Sequence, residues 1–385
     1  MKKIARFIGL DVHAETIAVA IAEADGGEVR SLGTIPNRPE SVQNLIRKTL
    51  KVSKEARSSV SVCYEAGPCG YVLYRQLSEL GIKCEVVAPT LIPVKAGDRV
   101  KTDRRDAEKL ARLHRAGELT AVYVPGPEWE AFRDLVRARE ASKKDQLRAR
   151  HRILKLLLRK GERAPEGVRP WTQKYLAWVK ALKMTHAAEE AVRQDYVLEL
   201  DQQTSRVERL EKEIDEALAA APRELRVVVE ALQALRGIRQ LSAATIVAET
   251  GPLSRFEHPK KLMSYTGIVS AEDSSGTRTR RAGITKTGNV HLRRIIVEAA
   301  WSYRHRPGIS RELKKRQEGL SPEIIEIAKK AQIRLHKRYL RLMARGKSKQ
   351  QVVTAIGREL EGFIWAIGRK AEAALKPPIA SKAAA

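Results

Sequence analysis

Two stretches, Glu128 to about Lys160 and about Ala187 to Ala220, are long, charged and nearly free of glycine. Trp129, Phe132 and Val136 in the first and Val207, Leu210 and Ile214 in the second repeat at helical spacing, so the stretches predict two long helices that can pair as an antiparallel coiled-coil arm. Pro165, Pro170 and Ala220-Ala221-Pro222 punctuate them. A chain of 385 residues exceeds one compact core, and an arm of this kind splits what remains. The expected organisation is an α/β domain over 1–118, a helical linker arm over 119–222, a mostly helical domain over 223–370 and a tail over 371–385. From Lys376 to Ala385 the tail holds two prolines and little to bury, so disorder is expected there.

The first domain reads as strand and helix in alternation. Residues 4–11, 16–23 and 28–35 are short runs rich in Ile, Val and Ala, broken by Val12-His13-Ala14 and Asp25-Gly26-Gly27. They predict a three-stranded meander. Val42, Leu45, Ile46 and Leu50 then follow helical spacing, Val60, Val62 and Tyr64 alternate, and a helix from Tyr71 to Leu80, a strand from Cys84 to Ala88 and a polar helix from about Thr102 to His114 complete the pattern. That order belongs to an α/β sheet domain.

Lys and Arg number 73 against 46 Asp and Glu, a formal charge of +27, while 43% hydrophobic residues are enough for real cores. Solubility alone asks for a net charge of magnitude about 2–8 in a small domain, so the excess points to a polyanion, and nucleic acid is the natural partner. Cys63, Cys69 and Cys84 lack the paired spacing of a zinc site or a disulfide framework and read as thiols in a reducing cell. Arg6 and Asp11 interrupt the apolar start, which excludes a signal peptide or membrane span as the reading of that segment. The expected location is the cytoplasm, on the nucleoid.

Asp11 is where the apolar strand Phe7-Ile8-Gly9-Leu10 stops being hydrophobic. An Asp at a strand end is ordinarily a turn former. Glu65 repeats the arrangement, ending the strand Val60 to Tyr64 ahead of Ala66-Gly67-Pro68, and Asp103 and Asp106 stand three apart, on one face of a helix. Four carboxylates are the hard oxygen donors that Mg²⁺ sites use, and a like-charge cluster is costly unless a metal neutralises it.

In the last third, Gly267-Ile268-Val269-Ser270-Ala271-Glu272-Asp273-Ser274-Ser275-Gly276 gives way to Arg278, Arg280, Arg281, Lys286, Arg293 and Arg294. A serine beside glycine can meet a substrate closely and the basic residues can hold phosphates, although Ser-Ser-Gly by itself is only a turn. The segment Lys143 to Lys160 places Lys144, Arg148, Arg152, Lys155 and Arg159 along one helix side, beside a stripe of Leu147, Leu154 and Leu158. Charge runs are usually solvated faces. This one is nearly free of acids and reads as a contact to a nucleic-acid backbone.

Ile8-Gly9-Leu10-Asp11, Tyr64-Glu65-Ala66-Gly67, and Lys101-Thr102-Asp103 with Arg105-Asp106-Ala107 resemble the DEDD pattern of the IS110 family of insertion-sequence transposases, which includes the Piv-type invertases. Glu272, Ser274-Ser275-Gly276, Gly283-Ile284-Thr285-Lys286, Gly288-Asn289, Leu292-Arg293-Arg294 and Glu298-Ala299-Ala300 resemble the family's second, more specific signature block. The resemblance implies an RuvC-like (RNase H-like) first domain whose Asp11, Glu65, Asp103 and Asp106 bind Mg²⁺. It also implies a nucleophilic serine that becomes joined to DNA; Ser275 matches it best and Ser274 is the fallback. It further implies donor and target DNA and a structured guide (bridge) RNA as partners. The protein is expected to be a homo-oligomer, dimer or tetramer, in which acids and serine serve one phosphodiester. Leu235 to Thr245 resembles the helix-hairpin-helix-like opening of the family's last domain, with Arg239 where a second glycine is usual, and Glu359 in the closing helices stands where a basic residue is commoner.

The expected function is therefore an RNA-guided, Mg²⁺-dependent serine recombinase that moves an insertion sequence. A structure-specific RuvC-type nuclease using metal-activated water is the alternative, and a non-catalytic nucleic-acid-binding protein is a third reading.

Overall fold

The computed structural model describes residues 4–53, 59–94, 97, 101–275 and 278–375, without the side chains of 51–53, 279 and 281; Gly276 and the tail expected to be disordered lie outside the described residues. The chain forms two compact units, Met1–Pro125 and Gly126–Ala385. It is a mixed α/β protein.

In the first unit β1 (Arg6–Val12), β2 (Thr16–Glu23) and β3 (Arg30–Pro36) form the expected antiparallel meander. After helix α1 (Pro39–Ser53), β4 (Val60–Glu65) returns beside β1; α2 (Val72–Glu79) leads to β5 (Lys83–Val87), and both later strands run parallel to β1. The sheet order is β3-β2-β1-β4-β5. Period-two alternation gives the sheet two unlike faces. One carries Ile8, Leu10, Ile17, Val62 and Tyr64 against Val42 and Leu45 of α1 and Leu77 of α2. The other is built of small residues, Ala18, Ala20 and Ala22, against Ala107 and Ala111 of α3 (Asp103–Ala116). The unit reaches Pro125 and not 118, because Val122 N–H donates to Val86 O at 2.7 Å and Val122 and Val124 pack on the core.

The second unit opens on α4 (Pro127–Arg159), followed by α5 (Gln173–Ala181) and α6 (Ala187–Ala220). Arg139 pairs with Glu211, Gln146 with Thr204 at 2.9 Å, and Arg152 with Glu199, so α4 and α6 lie antiparallel. One end of the pair is closed by Tyr175 and Val179 of α5. At the other, Phe132, Val136, Ile214 and Leu218 join the main core, made by α7 (Arg223–Leu232), α8 (Gln240–Thr250), α9 (Pro259–Thr266), α10 (Val290–Ala300), α11 (Arg311–Gln317), α12 (Pro322–Ala344) and α13 (Lys349–Ala373). Between α9 and α10 an antiparallel ribbon, β6 (Ser270–Ser275) and β7 (Arg278–Ile284), carries the serine motif. Among the described residues no helix is long and apolar enough to cross a membrane.

Candidate active site

The parallel register pairs Gly9 with Cys63 and Leu10 with Tyr64, so Asp11 and Glu65 come one step later, side by side at the ends of β1 and β4. Because Leu10 and Tyr64 point into the α1–α2 core, alternation turns Asp11 and Glu65 to the opposite face, the face covered by α3. Gly9 sets how close α3 comes. A Cβ on Gly9 would lie 2.9 Å from Leu110 Cβ and closer still to Ala107 O and Ala111 N. Thr102 caps α3, its hydroxyl accepting from Arg105 N–H at 3.3 Å, which puts Asp103 and Asp106 in the first turn, where the positive end of the helix favours carboxylates.

The group drawn tightest together is Asp11, His13 and Asp103, with one possible ligand atom from each lying within 4.8 Å of the others. His13 Nε2 is 3.3 Å from Asp11 Oδ2 and 3.5 Å from Asp103 Oδ1. Asp106 faces Lys101 Nζ at 3.9 Å, and Glu65 is exposed at the end of its strand; neither belongs to that tight group. Burial raises the Asp11 carboxyl above the ordinary range; His13 draws it down, and the charges of Asp106 and Asp103 push it up. Both helix acids thus reach Asp11 electrostatically. The donor set, carboxylate oxygens with one imidazole around a half-buried strand end, fits a divalent cation. Sequence reasoning missed His13. Its signal was present: Asp11 and His13 are two apart, hence on one side of an extended chain, but Val12-His13-Ala14 read as a turn.

In the second unit Ser274 and Ser275 are both exposed at the end of β6. Ser275 stands opposite Arg278, and Asp273 opposite Arg280, on one side of the ribbon. On the other side Ser274 Oγ donates to Glu272 Oε1 at 2.9 Å. Arg281 lies opposite Glu272. Arg293 is engaged structurally: its Nη1 donates to Thr266 O at 2.7 Å, closing the end of α9. Lys286 is exposed, with its backbone held at φ 58°.

Three residues of the α4 basic stripe are already ion-paired, Lys144 with Glu140 at 2.9 Å, Arg148 with Asp145 at 3.1 Å and Arg152 with Glu199 of α6; Lys155 and Arg159 are exposed. The stripe is therefore less free of acids than it read in sequence, because Glu140 and Asp145 of α4 itself and Glu199 of α6 pair with it. Arg239 pairs with Glu312 at 2.9 Å, and Gly237, at φ 82°, is required where a Cβ would meet Ala299 O at 2.5 Å, so the α7–α8 turn is a packed hairpin.

A buried polar network went unseen in the sequence. Arg137 of α4 donates two hydrogen bonds, 2.7 and 2.8 Å, to Glu249 of α8, and Asn289 donates to the same carboxylate at 2.6 Å while its own Oδ1 accepts from Leu292 N–H to cap α10. Nearby, Glu140 accepts from Lys144, His291 and Arg294, which together hold its carboxyl down to about 2 against the effect of burial. These contacts fix α10 and the root of the ribbon to α4. No local pattern marks them, since their partners are far apart in the chain.

Residues 8–160 match the family description DEDD transposase of the IS110 type, and residues 229–315 match the Transposase IS116/IS110/IS902 family. A putative transposase of Sinorhizobium fredii, y4qE, is 45% identical over 366 residues, covering 95% of this chain and 89% of the relative. The transposase for insertion sequence element IS1533 of Leptospira borgpetersenii is 30% identical over 344 residues, covering 89% of this chain and 97% of the relative. The DEDD match implies an RuvC-like fold for the sheet unit and suggests divalent-metal use, for which Asp11, His13 and Asp103 form a suitable group. With both family segments matched and relatives alike over most of their length, the chain belongs to the IS110 family of insertion-sequence transposases, enzymes that act on DNA.

Proposed function

We propose that this transposase cuts and rejoins DNA through a covalent serine–DNA intermediate formed on Ser275, with Mg²⁺ held by Asp11, Asp103 and the neighbouring Glu65 and Asp106, His13 completing the set. The observation that carries the reading is the place of Ser275, exposed at the end of β6 with Arg278 opposite it and Arg280 one pair further along the same side. Arginines so placed can hold the phosphate while the serine oxygen attacks. The Ser275 Oγ–phosphorus bond forms as the bond from phosphorus to the leaving sugar oxygen breaks; the serine loses its proton to a base and the leaving oxygen gains one. Attack by another strand's hydroxyl reverses the step and rejoins DNA without an external energy source. Bound Mg²⁺ would supply Lewis-acid stabilisation of charge on the phosphate oxygens. Ser274 is the second reading, since Glu272 already accepts its proton at 2.9 Å.

A structured guide RNA is the proposed source of target choice, supported by the family resemblance and by a charge of +27. Donor and target DNA, Lys155 and Arg159 as backbone contacts, and a dimer or tetramer belong to the same proposal; the exposed Leu147, Leu154 and Leu158 of α4 offer an apolar stripe for a second copy.

Denaturing the reaction midway tests the chemistry. Protein covalently attached to a DNA end, mapped to residue 275 and lost in Ser275→Ala together with recombination, is the expected result. An adduct on Ser274 moves the role by one residue, and cleavage without any adduct favours metal-activated water and a nuclease.

A further inference from the structure

The root of the β6–β7 ribbon and the corner between α12 and α13 enclose a cleft of about 720 Å³ that the chemistry above does not use. Three cations line it, Lys286, Lys347 and Arg358, and among the described residues no acidic side chain does. Arg358 is oriented by Ser270, whose Oγ accepts from its Nη1 at 3.1 Å. Its floor is apolar, with Ile268 and Leu342 contributing. Gln350 and Gln351 add side-chain amides at the first turn of α13, where the helix's positive end adds to the field.

Two backbone features make this more than a gap. Lys286 sits at φ 58°, a left-handed conformation that is costly for a residue with a Cβ and natural for glycine; its N–H is held by Gly267 O at 3.0 Å. Packing explains the conformation, but not why a lysine occupies it. Gly283, within β7, has the opposite profile: its φ is ordinary and a Cβ there would meet nothing within 4 Å. Gly283 lies where β7 carries an extra residue against β6, between the Ser270–Ile284 and Glu272–Arg281 pairs; this bulge accounts for a glycine there and leaves its backbone open to the cleft.

We propose that this cleft seats one unpaired nucleotide of a nucleic-acid strand, its phosphate between Lys286, Lys347 and Arg358 and its base against the apolar floor beside Gly283. The three cations more than offset the one charge that a nucleotide in a strand carries. The volume suits one nucleotide, and the amides offer partners to the edge of a base. The seat rests on the family's action on DNA, and it does not depend on which group attacks phosphorus.

The test is equilibrium binding of the full chain to a five-nucleotide strand, dT-dT-2-aminopurine-dT-dT, followed by the fluorescence of the central base across a salt series. The wild type should change that fluorescence on binding. Lys347→Ala and Lys286→Gly should each lower the slope of log affinity against log salt, by no more than the value of about 0.7 for one whole phosphate contact on a single strand, and weaken binding by up to about fivefold near 0.1 M salt. Lys286→Gly relieves the backbone, so its melting temperature should not fall, which separates lost binding from lost folding. Gly283→Leu fills the floor without changing charge and should abolish the fluorescence change. Equilibrium binding of this short strand involves no strand cleavage, so a failed adduct experiment and a failed seat are read separately. Unchanged slopes in both lysine variants overturn the proposal, as does a strand of five abasic sites that binds the wild type as tightly as the 2-aminopurine strand. Equal slope losses with duplex DNA and no fluorescence change overturn the base seat in favour of a plain phosphate contact.

Discussion

Gly9→Ala adds one methyl group at a residue that contributes no side chain to the site, and it should cost the enzyme most of its activity. The added Cβ would lie 2.9 Å from Leu110 Cβ and closer still to Ala107 O and Ala111 N. Two of these three atoms are backbone, so no rotamer change relieves the clash. Helix α3 must retreat from the sheet by about 0.5–1 Å, and overpacking of this kind costs about 1–3 kcal/mol. Asp103 and Asp106 ride on the first turn of that helix while Asp11 stays on β1, so the retreat pulls apart the group that now fits within 4.8 Å. A displacement of about 1 Å at a reacting centre can lower a rate by about a hundredfold. Single-turnover strand cleavage at saturating Mg²⁺, with denaturant unfolding and DNA binding measured on the same variant, checks this. The expected pattern is a loss of about two orders of magnitude in cleavage, a stability loss of about 1–3 kcal/mol and near-normal DNA affinity. Cleavage within about threefold of the wild type would refute the reasoning, because the helix would then not be what sets the carboxylate spacing.

Asp11→Ala, or chelation of divalent metal, should abolish strand cleavage and leave DNA binding nearly intact; a cleaving Asp11→Ala enzyme in a gel assay would remove the metal group as drawn. Glu361 is fully buried on α13, its Oε1 2.7 Å from Thr266 Oγ1, and burial pushes its carboxyl up to about 8 from 4.5, opposed by Thr266 and Arg358. The folded state holds this proton more tightly than the unfolded chain, so the associated stability is fully present below pH 4.5 and is lost as pH rises to about 8. Glu361→Gln should flatten that decline and be the more stable protein at pH 8 by roughly 2–5 kcal/mol, measured by denaturant unfolding across pH; parallel pH profiles would show that Glu361 is not held neutral. Glu249→Ala strands Arg137, itself 39% exposed, and should cost about 2–4 kcal/mol, with Glu249→Gln recovering part of it; an unchanged unfolding midpoint would show the network to be idle. DNA affinity of the wild type should fall steeply with salt, and a flat dependence measured by anisotropy would remove the inference drawn from the charge of +27.

Much of the architecture was legible in the residues themselves. Short apolar runs broken by turn residues marked β1 and β2 and alternation marked β4, and the ends of β1's run and β4's alternation placed Asp11 and Glu65 near strand termini before any register was known. The absence of glycine and the helical spacing of Phe132, Val136, Val207 and Ile214 marked α4 and α6. The ribbon was not legible. Ser270 to Ser275 is polar but for Ala271 and mostly exposed, so no alternation separates a strand from a turn there.

What only the tertiary structure decided is which of these pieces touch. His13 turned from a turn residue into a neighbour of Asp11 and Asp103 because α3 comes down on β1 over Gly9. Arg152 became an ion-pair partner because α6 runs back along α4, and Glu249 found Arg137 and Asn289 across separations of 112 and 40 residues. A side chain's face follows from its immediate neighbours, because backbone geometry repeats every two residues in a strand and every 3.6 in a helix. Its partner follows from where the rest of the chain closes, and that is set by the packing of whole faces, a property no single segment contains.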